Sequence, residues 1–151
     1  MTETAVLRRA ERADVPAIVA MLADDPLGAQ RETPGDPAYL AAFDLLDADP
    51  NQLLVVAELA GEPVGTLQLT FIAGLSRRGA TRAQIEAVRV RDGHRGGGLG
   101  QLLVNWAVDT ARARGCAVVQ LTTDSSRTDA HRFYQRLGFQ ASHVGMKLPL
   151  T

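Results

Sequence analysis

The stretch that decides the fold is HRGGGLGQLL, residues 94–103, in which three consecutive glycines precede an apolar run. Glycine is an unfavourable residue inside a helix, so its place directly before a helical pattern needs a physical reason. The first N–H groups of a helix have no partner within it, and the helix dipole adds partial positive charge there. A bare glycine backbone at a helix start is therefore typical of an anion site, because no side chain blocks close approach.

The residues on either side place these glycines between a strand and a helix. QIEAVRV alternates apolar and polar residues, with Ile85, Ala87 or Val88, and Val90 on one face. After the glycines the apolar residues follow helical spacing, and Gly115 stands where a C-terminal helix cap belongs. Those apolar residues are Leu99, Leu102, Leu103, Trp106 and Ala107. The stretch is therefore predicted to be a strand–loop–helix turn.

The remaining sequence predicts alternating strands and helices. TAVLRRA is expected to be the first strand, and helices are expected over VPAIVAMLAD, capped by Asp14, and PAYLAAFDLLDA, opened by Asp36. LLVVAELAGEPVGTLQLTF reads as a β-hairpin that turns at Gly61 and Glu62. CAVVQLTT is typical of a buried strand, RTDAHRFYQRL of a helix ended by Gly138, and FQASHVGMKLPL of one or two closing strands.

Length and composition indicate a soluble globular protein with one domain, and the alternation of strands and helices predicts an α/β (α+β) fold over residues 4–151. The chain has 151 residues, of which 46% are hydrophobic and 22% charged. No apolar run is long enough to cross a bilayer, and the N-terminus lacks a signal-peptide core. The single cysteine, Cys116, forms no internal disulfide, so a reducing cytoplasm is the predicted compartment. His94, His131 and His143 lack metal-ligand spacing, and no metal is predicted.

Charge is distributed unevenly along the chain, although the net charge is only −1. Residues 14–50 hold eight acidic residues and one basic residue, whereas residues 51–151 hold seven acidic and twelve basic residues. The two halves therefore carry −7 and +5. Such asymmetry indicates two different tasks, and the low net charge gives no general attraction to nucleic acid. Only Lys147 among the sixteen basic residues is lysine, which is typical of a GC-rich bacterial genome.

Two common glycine motifs do not fit the loop. A P-loop requires Lys and then Ser or Thr after its last glycine, and neither follows Gly100. A dinucleotide fingerprint requires a third glycine where Leu103 stands. Asp124 does mimic the ribose-binding acid of that fold, but too few residues remain after the loop to build its sheet.

A third pattern, R/Q-x-x-G-x-G/A, is satisfied by Arg95, Gly98 and Gly100. Here the sequence resembles the GCN5-related N-acetyltransferase (GNAT) family. IEAVRVRDGHRGGGLGQLLVNWA resembles that family's main acetyl-CoA motif, and DAHRFYQRLGF resembles its second motif, which ends in F-Y-x-x-x-G-F. The resemblance spans nearly the whole chain. It implies a mixed sheet of six to seven strands flanked by about four helices.

The resemblance implies that acetyl-CoA is the cosubstrate and that the loop binds its pyrophosphate through backbone amides. The residues concerned are Arg95, Gly96, Gly97, Gly98, Leu99, Gly100 and Gln101. The strand at Val88, Arg89 and Val90 would pair by main chain with the pantetheine arm, and an N–H near Val90 would polarise the thioester carbonyl. Arg127 stands where the family often has asparagine, and is predicted to contact the cofactor or a substrate anion.

The resemblance also assigns the catalytic groups. Tyr134 occupies the position of the acid that protonates the departing thiolate, and Glu86 lies where some members place a general base. Because acetyl-CoA is already activated, direct transfer to an amine requires no enzyme nucleophile, which suits a chain without a Ser-His-Asp or Cys-His constellation. The alternative interpretations assign these residues no function. The glycines would then form only a flexible loop, Tyr134 would be a half-buried packing residue, and Glu86 would simply face solvent.

The predicted acceptor is a small and cationic primary amine. In proteins that resemble this one, the first two helices form much of the acceptor side, which here is the acidic half. Asp24, Asp25 and Glu32 are its candidate contacts. No nucleic acid or membrane partner is predicted, and a homodimer is left open. The alternatives are acetylation of a protein N-terminus or lysine, a non-catalytic acyl-CoA-binding regulatory module, and a nucleotide-binding oxidoreductase.

Overall fold

The computed structural model describes residues 4–151, which divide into two compact units, one ending at Gln120 and one over Leu121–Thr151. The strands of the larger unit are β1 Val6–Arg9, β2 Gln52–Leu59, β3 Glu62–Ile72, β4 Arg82–Val90 and β5 Val118–Gln120. Its helices are α1 Val15–Ala23, α2 Gly28–Arg31, α3 Ala38–Ala48, α4 Ser76–Gly79 and α5 Leu99–Ala113, with a 3-10 turn at Arg12–Asp14. The smaller unit contains α6, Thr128–Arg136. The prediction of a single domain over residues 4–151 stays a prediction.

The sheet has the order β1-β2-β3-β4-β5, antiparallel except for the parallel pair β4 and β5. β5 pairs only with the first three residues of β4, from Arg82 to Gln84. Within residues 4–151 the ladder between these two strands therefore ends at Gln84, and β4 runs on for six more residues. The glycine loop and α5 follow directly from that end of β4.

Two layers of helix cover the sheet because its strands bury residues on both faces. α5 contacts β3 and β4. Leu103 of α5 is completely buried, and its Cδ1 lies 3.1 Å from where a Cβ on Gly65 would be, so the glycine permits this close packing. α1 and α3 form a second core with β2 and with Ala10, the residue that follows β1. Its buried members are Ala10, Val15, Ile18, Val19, Met21, Phe43 and Val56.

The predicted fold class is confirmed, but the strand count was too high. In the described part of the chain the sheet has five strands rather than six or seven, and no strand follows Gly138. Residues Val144, Met146, Leu148 and Leu150 alternate as in a strand, yet each is 83–91% exposed. A period of two favours an extended backbone, but a strand requires a partner edge. The four predicted helices are present as α1, α3, α5 and α6, each of nine residues or more. α2 and α4 are additional single turns, and the backbone of α4 is left-handed at Arg77 and Arg78.

Two local predictions need correction. The hairpin turns at Ala60 and Gly61, both with positive φ, and Glu62 already belongs to β3. Asp14 makes no side-chain hydrogen bond that caps α1. Its carboxylate instead accepts two hydrogen bonds from the Arg8 guanidinium, at 2.7 and 2.9 Å, and one from the Glu11 N–H at 2.7 Å. The charged partner next to it is the stronger donor.

Candidate active site

The glycine loop presents open backbone at the start of α5. Gly98 is the N-cap of this helix with φ of 85°, a left-handed conformation that favours glycine. No side chain caps the helix there, and the first helical bond runs from the Leu102 N–H to the Gly98 carbonyl. A Cβ added at Gly96 or Gly98 would meet nothing within 4 Å. The amides that precede this first bond therefore face an open surface suited to an anion.

A β-bulge near its end redirects β4. Gln68 of β3 lies opposite Glu86, but Thr66 lies opposite Arg89, so β4 contains one extra residue in this interval. Ala87 lies within it and has φ of 54°, which is unusual for a residue with a Cβ. The alternation of side chains between the two faces of β4 therefore changes phase here. Ala87 is exposed and Val88 is half-buried, so Val88 rather than Ala87 continues the apolar face predicted from the sequence. Bulges of this kind are common next to active sites because they re-aim side chains.

Two arginine side chains donate hydrogen bonds to backbone carbonyls at the end of β4. Arg89 Nη1 donates to the Val88 carbonyl at 2.9 Å, and Arg95 Nε donates to the Val90 carbonyl at 3.1 Å. The ladder with β5 has already ended at Gln84. The carbonyls of Val88 and Val90 are thus engaged by arginine side chains rather than by β5.

The same two arginines reach the acidic connection between α1 and α2. Arg95 Nη2 lies 3.4 Å from Asp24 Oδ2, and Arg89 Nε lies 3.6 Å from Asp25 Oδ2. The Arg89–Asp25 pair is largely buried, with side chains 17% and 19% exposed, whereas Arg95 and Asp24 are about half exposed. Asp25 Oδ1 also accepts a short hydrogen bond from the Gly28 N–H. Two of the three predicted acceptor acids are thus brought to the glycine loop and to the end of β4 by ion pairs that sequence spacing did not reveal.

The third predicted acceptor residue, Glu32, lies between α2 and α3. Its Oε1 accepts a hydrogen bond from the Tyr39 hydroxyl at 3.0 Å, and that hydroxyl accepts one from the Thr33 N–H at 2.8 Å. Tyr39 therefore fixes Glu32 at the end of a short loop. Asp36 opens α3 as predicted, since its Oδ1 accepts from the Ala38 N–H at 2.8 Å.

Glu86, the predicted base, is an exposed residue on β4 just before the bulge. Its neighbours in the strand, Ala83 and Ile85, are buried on the opposite face. Gln84 Nε2 donates to Glu86 Oε1 at 2.8 Å. The carboxylate thus lies at the surface of the sheet with one oriented partner, and it remains accessible to a ligand.

The predicted acid and Arg127 belong to the smaller unit. Tyr134 lies on α6 in edge contact with the rings of Phe133 and Phe139, at centroid distances of 5.1 and 5.7 Å. All three rings are half-buried. Arg127 precedes α6, and its carbonyl accepts from the His131 N–H at 3.2 Å. The aromatic contacts hold the Tyr134 ring within this unit.

Metal-binding clusters and membrane-spanning helices are both absent from the part of the chain that the structure describes. Across residues 4–151, no group of three or more His, Cys, Asp or Glu side chains is arranged to hold a metal ion. No helix in that range is long and apolar enough to cross a membrane.

The fold and the site together define a protein with an anion-binding loop between a bulged strand and a helix. Residues 16–139 match the acetyltransferase (GNAT) family. The chain belongs to this family, which confirms the resemblance and the predicted class of enzyme.

Similarity to individual proteins is substantial. A solved structure of a transcriptional regulator from Bacillus halodurans is 45% identical, with a TM-score of 0.94, covering 97% of this chain and 100% of that one. An L-methionine sulfoximine/L-methionine sulfone acetyltransferase of Pseudomonas aeruginosa is 32% identical, over 95% of this chain and 87% of that protein. An aminoalkylphosphonate N-acetyltransferase of Salmonella typhimurium is 36% identical over 63% of this chain, which spans 61% of that relative.

Proposed function

We propose that the chain is an acetyl-CoA-dependent N-acetyltransferase that transfers the acetyl group directly to a small primary amine. The observation that carries this proposal is the start of α5, where the left-handed Gly98 leaves the first helical amides open. A diphosphate fits this surface because the surface offers N–H donors and the positive end of the helix dipole, and because no Cβ obstructs the approach of the ligand. Arg95, about half exposed at the same loop, adds a positive charge.

The residues present would hold acetyl-CoA along the end of β4 and the start of α5. Its pyrophosphate would be bound by the amides from Arg95 to Gln101, and its pantetheine arm by the main chain of Val88–Val90. When bound, it supplies an activated acetyl thioester. Arg89 and Arg95 would release the carbonyls of Val88 and Val90 to ligand amides.

Within this arrangement Glu86 would accept the proton of the acceptor. An alkyl ammonium with a pKa near ~10.4 is almost wholly charged at neutral pH, and reaching the free amine costs about 4–5 kcal/mol. A carboxylate acting directly or through water recovers part of this cost, typically about 10²–10⁴ in rate. Tyr134 would protonate the thiolate, and Arg127 would contact the cofactor or a substrate anion.

Direct transfer is supported by the position of Cys116, the only cysteine of the chain. It follows the C-terminus of α5, whereas the glycine loop precedes the N-terminus of this 15-residue helix. At 1.5 Å per residue the helix is about 22 Å long. The thiol therefore lies at the end of α5 away from the glycine loop and beside the start of β4, where the Ala117 N–H donates to the Thr81 carbonyl at 2.9 Å. Val88, where the acyl end of the pantetheine arm would lie, is several strand residues further on, about 20 Å away at about 3.3 Å per residue, which is too far for the thiol to act as an acyl carrier.

For the acceptor we propose a cationic amine whose ammonium group meets Asp24, Asp25 and Glu32. A second candidate is an amine that also carries an acidic group. It is favoured by the pairing of Arg95 with Asp24 and of Arg89 with Asp25, which places both signs of charge side by side. It is also favoured by the amino-acid and aminophosphonate acceptors named for two relatives.

The test is an acetyl-CoA turnover assay by thiol release, over polyamines, aminoglycosides, amino acids, aminophosphonates, amino sugars and peptides. Turnover that is highest on a small amine supports the proposal, and the charge of the best substrate decides between the two acceptor classes. Peptides as the best substrates would indicate a protein acceptor instead. CoA binding by calorimetry without turnover would favour a regulatory module, an alternative suggested by the regulator from Bacillus halodurans.

A further inference from the structure

Three polar side chains form a hydrogen-bonded row across β4 and β5. Gln120 Nε2 donates to Gln84 Oε1 at 3.0 Å, and Gln84 Nε2 donates to Glu86 Oε1 at 2.8 Å. Gln84 lies opposite Gln120 in the parallel register, and Glu86 follows two positions later on the same face. The row therefore joins the last pairing point of the two strands to the carboxylate before the bulge.

The direction of this row is set by chemistry. An ionised carboxylate only accepts hydrogen bonds, so Gln84 must present its NH₂ group to Glu86. Its carbonyl then faces Gln120, which must donate. A carboxylate at one end thus fixes the orientation of both amides, independently of how the two atoms of an amide are assigned.

We propose that Gln84, oriented by Gln120, is a positioning residue that holds the Glu86 carboxylate toward the acceptor amine. This inference rests on the proposed role of Glu86 as the base. The bond from Gln84 uses one of the roughly four lone-pair directions of the carboxylate, so others remain for an ammonium group or a water molecule. Fixing the carboxylate in advance lowers the entropy lost when the acceptor binds.

The hydrogen bond from Gln84 is the contact that the structure describes for the Glu86 carboxylate, and the charged residues on the neighbouring elements are described with other partners or lie elsewhere. The elements packed against β4 are β3, β5, α1 and α5. The residue opposite Glu86 on β3 is the neutral Gln68, and neither α1 nor β5 has a charged residue. On α5, Asp109 and Arg112 pair with each other at 3.7 Å. The charged residues of β3 and of β4 besides Glu86 are Glu62, Arg82 and Arg89, and Arg89 pairs with Asp25.

The kinetic experiment compares Gln84→Met, Gln120→Met and the double variant on the best amine. Gln84→Met removes a hydrogen bond to the charged carboxylate, so kcat should fall about 3- to 10-fold. The acidic limb of its pH–rate profile should move to higher pH, with unchanged CoA affinity. Gln120→Met should give a smaller loss. The double variant should be no worse than Gln84→Met, because Gln120 acts only through Gln84.

Gln68→Met is the matched control. Gln68 lies beside Glu86 on β3 but donates to Gln52 Oε1 at 3.1 Å, so its removal changes the same surface without touching the row. It should leave the pH profile in place. Gln84→Glu, which puts a second carboxylate beside the first, should move the acidic limb further than Gln84→Met does.

A second readout requires no turnover. In nuclear magnetic resonance spectra the side-chain NH₂ signals of Gln84 should differ between neutral pH and acid, because protonation of a carboxylate weakens the hydrogen bonds that it accepts. Glu86→Gln should abolish that difference, and Gln68→Met should preserve it. Additive losses in the double variant, or Gln84 signals that ignore Glu86→Gln, would overturn the inference. Absence of turnover on every amine would instead refute the proposed function, and the spectra alone would then decide whether Gln84 holds Glu86.

Discussion

A single residue, Gly98, combines two requirements at the start of α5. Its left-handed backbone turns the loop into the helix, and the space beyond its missing Cβ is open. A residue with a Cβ pays about 1–2 kcal/mol for this conformation. A branched side chain built from that Cβ would occupy the open space at the start of α5, where we propose that phosphate binds.

We therefore predict that Gly98→Val reduces CoA affinity at least 10-fold, measured by calorimetry, in a protein that remains folded by circular dichroism. Gly115→Val is the matched control. Gly115 also has positive φ and open space around its missing Cβ, but it follows the opposite end of α5. Unchanged CoA affinity in folded Gly98→Val, or equal losses in both variants, would contradict a binding site on the glycine loop.

A second prediction at this scale concerns Tyr134. If it protonates the departing thiolate, Tyr134→Phe should lower kcat about 10- to 1,000-fold with little change in CoA affinity. A thiol with a pKa near ~8.5 leaves readily as thiolate at alkaline pH, so the defect should shrink above about pH 9. Steady-state rates from pH 6 to about pH 10 test this. A defect that is constant with pH would assign Tyr134 a structural role through its contacts with Phe133 and Phe139.

Among the elements, β4 decides how the site is built. Its first three residues pair with β5, a bulge at Ala87 changes its phase, and its last residues are joined by Arg89 and Arg95 to the acidic connection after α1. The left-handed φ of Ala87 is a local strain of about 1–3 kcal/mol that the flanking strands sustain. Along its length, β4 thus first pairs within the sheet, then carries the proposed base Glu86, and finally offers the main chain that we propose binds the pantetheine arm of the cofactor.

A prediction about stability belongs to β1 and the turn that follows it. Hydrogen bonds from the Arg8 guanidinium hold the pKa of the buried Asp14 carboxyl below its ordinary value, against the opposing effect of burial. Because the pKa is lowered in the folded state, the stabilisation is full above about pH 4 and disappears as the pH falls through the folded value. Asp14→Asn should therefore cost about 1–3 kcal/mol at pH 7 and progressively less in acid.

Urea unfolding at pH 7 and about pH 3 measures this difference. Asp47→Asn is the control, because Asp47 pairs with Arg9 at 3.2 Å while about half exposed, and such a pair contributes only about 0.2–1 kcal/mol. A destabilisation by Asp14→Asn that does not change with pH would show that packing, rather than the ion pair, is what Asp14 contributes.

At the scale of the whole molecule, opposite charges are segregated along the chain and then partly recombined by the larger unit. Residues 14–50 carry −7 and residues 51–151 carry +5. The pairs Asp24–Arg95 and Asp25–Arg89 join these two parts. The acidic field of residues 14–50 is thereby weakened beside the glycine loop, where we propose that the cofactor binds.

If a cationic amine is the acceptor, its kcat/KM should fall as salt rises from about 20 to about 200 mM, because exposed charges are screened. Glu32→Gln should weaken capture of the same amine about 2- to 5-fold. Asp24→Asn should raise CoA affinity modestly, by about 2-fold, because Arg95 loses a competing partner worth about 0.2–1 kcal/mol. Initial rates and calorimetry measure these changes. Rates indifferent to salt and to Glu32→Gln would exclude the cationic acceptor.

The sequence by itself determined the strand–loop–helix turn, the four long helices, the hairpin and the family. These features depend on local periodicity and on backbone requirements, such as a positive φ at Gly98, that neighbouring residues specify. The same local rules overpredicted strands after Gly138, because alternation at Val144 and Met146 does not supply a pairing partner.

Only the tertiary structure decided which side chains meet. Asp24 and Arg95 are 71 positions apart and Gln84 and Gln120 are 36 apart, and no periodicity in the sequence relates them. The bulge at Ala87 likewise follows from the register between two strands, and it alone places Glu86 and Arg89 in their different surroundings. Contacts between distant residues depend on how the elements pack, which local residue preferences do not encode.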